Sequence, residues 1–326
     1  MPDPQRATST LARPKAALRR PEPPAGPGAE AVVAQAISPG AAGAVVVAAL
    51  LAAGGLYVQT FRDLIEVWNN DPNYSHGFVV PFMALAFAAL AWKTHGPPVR
   101  RQATLGAAAV GVGEIVFGLL LHVAAWFRAV LLFDVLSMIF ILRGLLLVLG
   151  GKEINRAYGF SVLFLVFMAP LPMAWYQPLA IEMQHFVSVI SSAMLDMCGI
   201  PAYREGYFIH VPGYTMEVAE ACSGLRQLTA VLALGVAIGH LSGRRTWFRW
   251  TLGLLSLPVA VGANCIRVTL SGVIMMLFGR EWAEGVFHTL EGLVIVALAA
   301  GLIVALAWGL SRLDDRYFGG KPATKA

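Results

Sequence analysis

Three ionisable residues at the edges of apolar runs have the side chains that covalent chemistry on a peptide bond requires. Cys222 lies in the stretch EACSGLR, Arg267 in NCIRVTL and His288 in VFHTLEG. A thiolate attacks a carbonyl carbon, an imidazole carries protons near neutral pH, and a cation stabilises the oxyanion that forms. Taken singly, they read as a packed cysteine, a structural arginine and an interfacial histidine. Together they predict a thiol-dependent active site.

The neighbours of Cys222 bear on its reactivity. Cys222 opens an apolar segment, and the positive end of a helix dipole there favours the thiolate. Arg226 is four residues on, so it shares the same helical face and adds a second positive influence. Glu220 would act in the opposite direction if it pointed at the thiol. Three roles stay open for Glu220: facing solvent, binding a basic part of a substrate, or tuning the thiol.

Polar residues also accompany Arg267 and His288. Arg267 lies about ten residues, or about 15 Å of helix, from the outer end of its apolar run, so it needs a partner or a wet cavity. Asn264 precedes it by three residues and shares its face. Glu291 follows His288 by three residues and could orient the imidazole. Asp134, near the outer end of another run, is a possible partner for Arg267 or Arg226.

The composition indicates which elements position these residues. The chain has 326 residues, of which 57% are hydrophobic and 13% are charged, and its mean hydropathy is +0.67. Globular domains carry about 25% charged residues, so we expect an all-α, polytopic membrane helix bundle. The three cysteines form no CxxC pair and indicate neither a disulfide framework nor a zinc site. No motif indicates nucleic acid, a cofactor or a metal.

The apolar runs predict eight membrane spans of about 20 residues each. They are 40–59, 77–93, 104–125, 129–149, 159–176, 223–241, 250–277 and 286–310. A further apolar stretch, 178–200, contains several polar residues, and we predict an interfacial or re-entrant helix there, with a crossing helix as the alternative. Residues 1–39 are predicted to form a disordered cytoplasmic tail, 40–312 the membrane domain, and 313–326 a short cytoplasmic tail.

Basic residues predict the orientation of the bundle. Lysines and arginines concentrate at both ends of the chain and in the loops 93–103, 150–158 and 242–249, which we therefore place in the cytoplasm. Counting spans from these loops puts residue 222 on the outer side of the membrane. Arg267 and His288 then lie nearer the outer than the inner face, as the thiol does.

The ordered set of motifs resembles the exosortase/archaeosortase family of membrane transpeptidases. The family pattern has a Cys in an A-C-S-G context, an Arg in an N-x-x-R context and a following His. A fourth element precedes Pro81 at the start of the second span. Over roughly residues 60–310, the four elements read Ala221-Cys222-Ser223-Gly224, Asn264-Cys265-Ile266-Arg267, Phe287-His288 and Tyr74-Ser75-His76-Gly77.

The resemblance implies a function and a location. Exosortases are thought to cleave C-terminal sorting tails of the PEP-CTERM type, which combine a short motif, a transmembrane helix and a basic cluster. The implied partners are proteins with such tails and the lipid bilayer. The site would face the periplasm from the bacterial inner membrane. A thioester forms on the enzyme and a second nucleophile releases it, without a cofactor or metal and without nucleic acid.

The resemblance also implies roles for individual residues. Cys222 would be the nucleophile, Arg267 would hold the oxyanion or the substrate carbonyl, and His288 would move protons. The residues with substrate-binding or supporting roles would be Arg226, Asn264, His76, Ser75, Tyr74 and Glu220. The stretch around His76 is dense in turn formers, so a purely structural turn is the alternative for it.

A transporter or flippase with buried charges lining a path is the alternative function. Such proteins often contain inverted repeats, and the sequence shows no internal symmetry of that kind. A metal-dependent intramembrane protease would need a ligand motif such as HExxH, which the sequence lacks.

Overall fold

The computed structural model describes residues 54–96, 104–218, 225–279 and 286–319, with a few positions between 44 and 52; 286–291 and 318 are described by their backbone alone. The predicted tail 1–39 and residues 320–326 lie outside the described residues. The helices are α1 Val58–Asn70, α2 Val79–His95, α3 Leu105–Arg128, α4 Leu131–Phe164, α5 Met173–Met197, α6 Leu225–Leu241, α7 Thr246–Phe278 and α8 Val286–Phe318. Two 3₁₀ helices, Pro72–Phe78 and Leu165–Met168, precede α2 and follow α4.

Five helical segments of the described chain are long and apolar enough to cross a membrane. They are Pro72–His95, Leu105–Arg128, Leu131–Met168, Thr246–Phe278 and Gly292–Tyr317. α6 is apolar but has only 17 residues, and α5, on which the predicted interfacial segment falls, is not among the five. The chain is therefore a polytopic bundle of membrane helices, as predicted, but the count of eight spans is not confirmed.

Two of the predicted spans share one long helical segment that contains a break. The predicted spans 129–149 and 159–176 fall largely on the continuous segment Leu131–Met168, and a break in α4 lies between them. Gly151 has a φ of 73° inside that helix, a conformation that glycine adopts without a steric cost. Half of the predicted span 40–59 lies outside the described residues.

Glycines let α3 and α4 pack with their backbones close together. A Cβ atom placed on Gly111 would lie 2.7 Å from the carbonyl oxygen of Gly144, and one placed on Gly144 would lie 2.5 Å from that of Gly111. Small residues at helix contacts are typical of membrane bundles, where close packing replaces the hydrophobic effect between helices.

A three-stranded antiparallel sheet connects α5 to the segment that precedes α6. Its strands are β1 Tyr203–Glu205, β2 Phe208–Val211 and β3 Tyr214–Glu217, in the order β1-β2-β3. Buried side chains of β2 and β3, among them Ile209 and Met216, pack in one cluster with residues of α5 and α7. The apolar runs did not predict these strands, because each is only three or four residues long.

An ion-pair network connects the loop between α6 and α7 to the end of α8. Arg244, between α6 and α7, donates to Asp315 at 2.9 and 3.1 Å and to the fully buried Asp314 at 3.0 Å. Trp247 donates its indole N–H to Asp314 at 3.2 Å. The hydrogen bond to Asp315 raises the pKa of Arg244 above its usual value, so this arginine stays charged and ties the end of α8 to the start of α7.

Candidate active site

The side chain of Arg267 lies between α7 and α8. A Cβ atom placed on Gly292 of α8 would lie 3.6 Å from Nη2 of Arg267 and 3.7 Å from its Cζ. Gly292 follows His288 by four residues in the same helix, so the two positions share a helical face. The guanidinium of Arg267 therefore lies one helical turn from the backbone position of His288, whose side chain lies outside the described part of the chain.

The start of α6 lies level with Arg267. α6 and α7 run antiparallel, because Gly235 of α6 faces Ser256 of α7 while Gly239 faces Arg249. Nine residues back along α6 from Gly235 is Arg226, and nine residues forward along α7 from Ser256 is residue 265. The register thus places the first turn of α6 beside the turn of α7 that carries Asn264 and Arg267.

The predicted nucleophile falls just before this turn of α6. Cys222 and Glu220 lie outside the described residues, and the description resumes at Leu225. Leu225 is buried in the same apolar cluster as Tyr74 and Trp68. In the sequence, two residues stand between Cys222 and Leu225.

The Pro72–Phe78 helix carries the Tyr74-Ser75-His76-Gly77 element and packs against the start of α6. Asp71 caps this helix by accepting from the Asn73 N–H at 2.8 Å. Tyr74 is buried, and its hydroxyl accepts from the backbone N–H of Leu171 at 3.2 Å. Ser75 is exposed, and its hydroxyl donates to the carbonyl of Pro72 at 3.0 Å. Ser75 thus has its partner within this turn, whereas Tyr74 ties the turn to the segment before α5.

His76 and Arg226 approach each other where this turn meets α6. The charge of Arg226 acts on the His76 ring, which also contacts the backbone of Asn73 and Phe167. Within the described chain, Nε of Arg226 is buried without a hydrogen-bond partner. The turn and the residue four positions after Cys222 therefore both contribute nitrogen-bearing side chains to one region.

A family model for transmembrane exosortases matches residues 68–305. The chain belongs to the transmembrane exosortase family. The matched range includes the Pro72–Phe78 helix and the motifs around Cys222, Arg267 and His288. No curated protein and no solved structure matches the chain. Family membership makes this a multi-pass membrane protein of the peptidase or transpeptidase kind with protein substrates.

Two acidic residues in the membrane helices of this exosortase pair with other helices, not with the site. Asp134 bonds His122 at 2.8 Å and accepts from Thr60 at 3.4 Å, so the idea that it pairs with Arg267 or Arg226 is wrong. Its position near the start of α4 brings it against α3 and α1. Glu114 of α3 accepts from Arg143 of α4 at 3.2 Å.

Gln227 is a buried polar residue that the motif analysis did not single out. Its side chain is 7% exposed, and its amide nitrogen has no hydrogen-bond partner among the described residues. The α6–α7 register places it near Asn264, which is fully buried. The available signal was a glutamine inside an apolar span, since polar groups at such positions are costly and usually functional.

A cavity of about 710 Å³ opens beside Tyr74. Its walls come from the end of α1, the start of α4 and the segment before α5, and they include Asp63, Glu66 and Asp71. Asp63 accepts from Gln59, and Asp71 is the helix cap. The cavity therefore gives this side of the exosortase an acidic, solvent-accessible recess next to the candidate site.

The turn element ends in glycine because Trp68 occupies the space that a side chain at position 77 would need. A Cβ atom at this position would lie 2.2 Å from Nε1 of Trp68, which donates to the carbonyl of Met168 at 3.1 Å. We expect Gly77→Ala to displace Trp68 and the turn, with a loss of about 1–3 kcal/mol in stability. Thermal unfolding in detergent measures the loss. Gly113→Ala is the control, because its methyl would meet nothing within 4 Å; an equal loss in both variants would contradict the steric explanation.

Proposed function

We propose that this exosortase-family protein is a membrane cysteine peptidase or transpeptidase. It cleaves C-terminal sorting tails of the PEP-CTERM type at the periplasmic face of the bacterial inner membrane. The observation that supports this most is the convergence of three elements at one level of the bundle. The start of α6, after Cys222, lies level with Arg267, and the Arg267 side chain lies beside Gly292 of α8, one turn after His288.

The first half of the reaction forms a thioester. The thiolate of Cys222 attacks the carbonyl carbon of the scissile peptide bond, and the developing oxyanion accepts hydrogen bonds from the guanidinium of Arg267. The C–N bond then breaks, and the amine of the tail leaves with a proton from His288. Arg226 and the helix dipole of α6 favour the thiolate before the attack.

The second half releases the acyl group. Water or an amine attacks the thioester carbonyl, and His288 takes the proton of this second nucleophile. The C–S bond breaks and the thiolate of Cys222 is regenerated. His76, Asn264, Tyr74 and Ser75 support the site or contact the substrate motif.

An apolar groove gives the helix of a sorting tail a place beside this site. The groove, of about 350 Å³, lies between α7 and α8. Its lining includes Ile266 and Ile295, next to Arg267 and close to Gly292, and it continues past Gly262 and Ala299 towards the other end of the helices. Small residues let a further helix approach closely. A tail helix in this groove would run directly away from the scissile bond.

Co-expression with a reporter protein that ends in a PEP-CTERM-type tail tests the proposal. We expect the chain to shorten the reporter by the mass of the tail, and membranes without the chain to leave it intact. Hydroxylamine added during the reaction should yield a reporter hydroxamate, because it intercepts thioesters. Tail removal without hydroxamate capture would contradict the thioester step.

A transporter or flippase predicts a different outcome of the same experiment. The reporter would keep its tail at every level of expression, while loss of the chain would change the distribution of a solute or lipid. An intact reporter with a matched tail would therefore overturn the peptidase proposal.

A further inference from the structure

Among the described residues, the small sheet has one edge strand that contacts α5 and an opposite edge with no strand paired to it. On the covered side, β1 contacts α5, and Ser188 of α5 donates to the carbonyl of Gly206 at 3.2 Å. β3 forms the opposite edge and ends at Glu217, five residues before Cys222. The open edge therefore leads along the chain directly into the motif that carries the thiol.

The register identifies the backbone groups that face outward from β3. Val218 donates to the carbonyl of Tyr207 at 3.1 Å, and bonded pairs alternate with non-bonded pairs along an antiparallel ladder. Residues 209 and 216 therefore form a bonded pair, as do 211 and 214. The N–H and C=O groups of Thr215 and Glu217 consequently point away from β2.

These outward groups are held in place but not used by the described chain. No described backbone or side-chain group bonds the N–H or C=O of Thr215 or Glu217. Met216 between them is buried, and its sulfur lies 3.2 Å from the position of a Cβ atom on Gly272. Packing on α7 thus fixes β3, while the side chains of Thr215 and Glu217 are exposed.

We propose that β3 binds the substrate polypeptide as a fourth strand and presents it to Cys222 in an extended conformation. The inference rests on the proposed function, which supplies a peptide as the substrate. An extended peptide offers N–H and C=O groups with a period of two residues, which is the pattern that β3 presents. Five residues span at most about 18 Å, so a substrate strand of similar length reaches from this edge to the thiol.

The chemistry of the edge favours a peptide over the other possible occupants. Directional N–H donors and C=O acceptors match a peptide backbone, whereas a lipid chain offers neither. A second copy of the chain paired edge to edge would bring the exposed Glu217 close to its own copy, and like charges across strands are unfavourable. An incoming substrate segment meets no such repulsion.

Proline substitution on β3 tests the docking. Thr215→Pro and Glu217→Pro remove an outward N–H but no ladder bond to β2, and edge strands tolerate proline there. The comparison variants Thr215→Val and Glu217→Ala keep the N–H and change only the side chain. Each proline variant should raise KM for the tailed reporter about fivefold more than its comparison variant does, with kcat retained, because one hydrogen bond is lost. Alkylation of Cys222 at the wild-type rate shows that the site is intact.

Substrates with single amide-to-ester replacements give an independent readout. A fluorescent peptide containing the motif and the first apolar residues of the tail is used, with esters at successive non-proline positions. Its affinity for the Cys222→Ala protein should fall about fivefold at alternate positions, because only every second N–H faces β3. A loss without this period, or proline variants equal to their comparison variants, overturns the docking.

The two proposals fail in different ways. Tails removed with no dependence on the β3 backbone would leave the peptidase in place and refute the added strand. Period-two binding to the Cys222→Ala protein, with no tail removal by the wild type, would support the added strand and refute the peptidase.

Discussion

Replacing Cys222 with alanine is expected to reduce the rate of tail removal by at least about 10³-fold, because the covalent route disappears with its nucleophile. Cys222→Ser should also lose at least about 10²-fold, since a hydroxyl is far less ionised than a thiol and this site favours thiolate through positive charge. Initial rates of tail removal at matched protein levels measure both losses. Hydroxamate capture should vanish in both variants.

The two other cysteines provide matched controls. Cys198 is exposed at the end of α5, and Cys265 is 2% exposed within the cluster that packs α5, α7 and the sheet. Cys198→Ala and Cys265→Ala should retain tail removal, and the second should lose about 1 kcal/mol of stability because it leaves a small cavity. Tail removal that survives in Cys222→Ala but not in Cys198→Ala would identify Cys198 as the nucleophile.

The long elements of this fold are those that sequence pattern predicts best. Runs of about 20 apolar residues specify membrane helices, because a bilayer leaves no other way to satisfy the backbone. α3, α7 and most of α8 follow the predicted runs closely. The break at Gly151 falls within the predicted loop 150–158, but the helix resumes directly after it, so most of that loop is helical.

The hydropathy pattern of the sequence did not predict the short strands or the side-chain contacts. The strands β1 to β3 contain too few residues for a period-two signal, and the dipeptide Pro212-Gly213 between β2 and β3 marks a turn without identifying a hairpin. The motifs named Arg267 and His288, but only the structure shows that Arg267 contacts Gly292, since helix contacts depend on register. Gln227 was not singled out from the sequence for the same reason: its burial beside α7 depends on the register of the two helices.

For the candidate site, too, the sequence predicted the residue types and the structure added their contacts. Sequence order and residue type predict Cys222, Arg267 and His288 as a set, and span counting predicts that they lie on one side of the membrane. The structure adds the level of Arg267 relative to α6 and its position beside Gly292 in the second turn of α8. It also shows that Ser75 bonds Pro72 within the turn and that Tyr74 bonds Leu171 before α5.

Arg267→Ala is expected to lower kcat for tail removal by about 10²–10³-fold, the usual cost of losing an oxyanion donor. Arg267→Lys should recover only part of this loss, because an ammonium keeps the charge but not the planar fork of the guanidinium. Arg62→Ala is the control, since Arg62 is exposed on α1. Arg267→Met separates chemistry from packing: it should restore thermal stability but not activity. Activity of Arg267→Met within about tenfold of wild type would contradict a role in the transition state.

Gly292 allows the position of the guanidinium to be tested with Arg267 still present. An alanine there places its Cβ 3.6 Å from Nη2 of Arg267, an ordinary contact, so Gly292→Ala should keep most activity. A leucine needs the volume that the guanidinium occupies, so Gly292→Leu should approach the loss of Arg267→Ala, because misplacing a catalytic group by about 1 Å can cost about 10²-fold. Tail-removal rates and alkylation of Cys222 measure the series. Equal rates for alanine and leucine would show that the guanidinium acts elsewhere, because only a group held against Gly292 is displaced by the larger side chain.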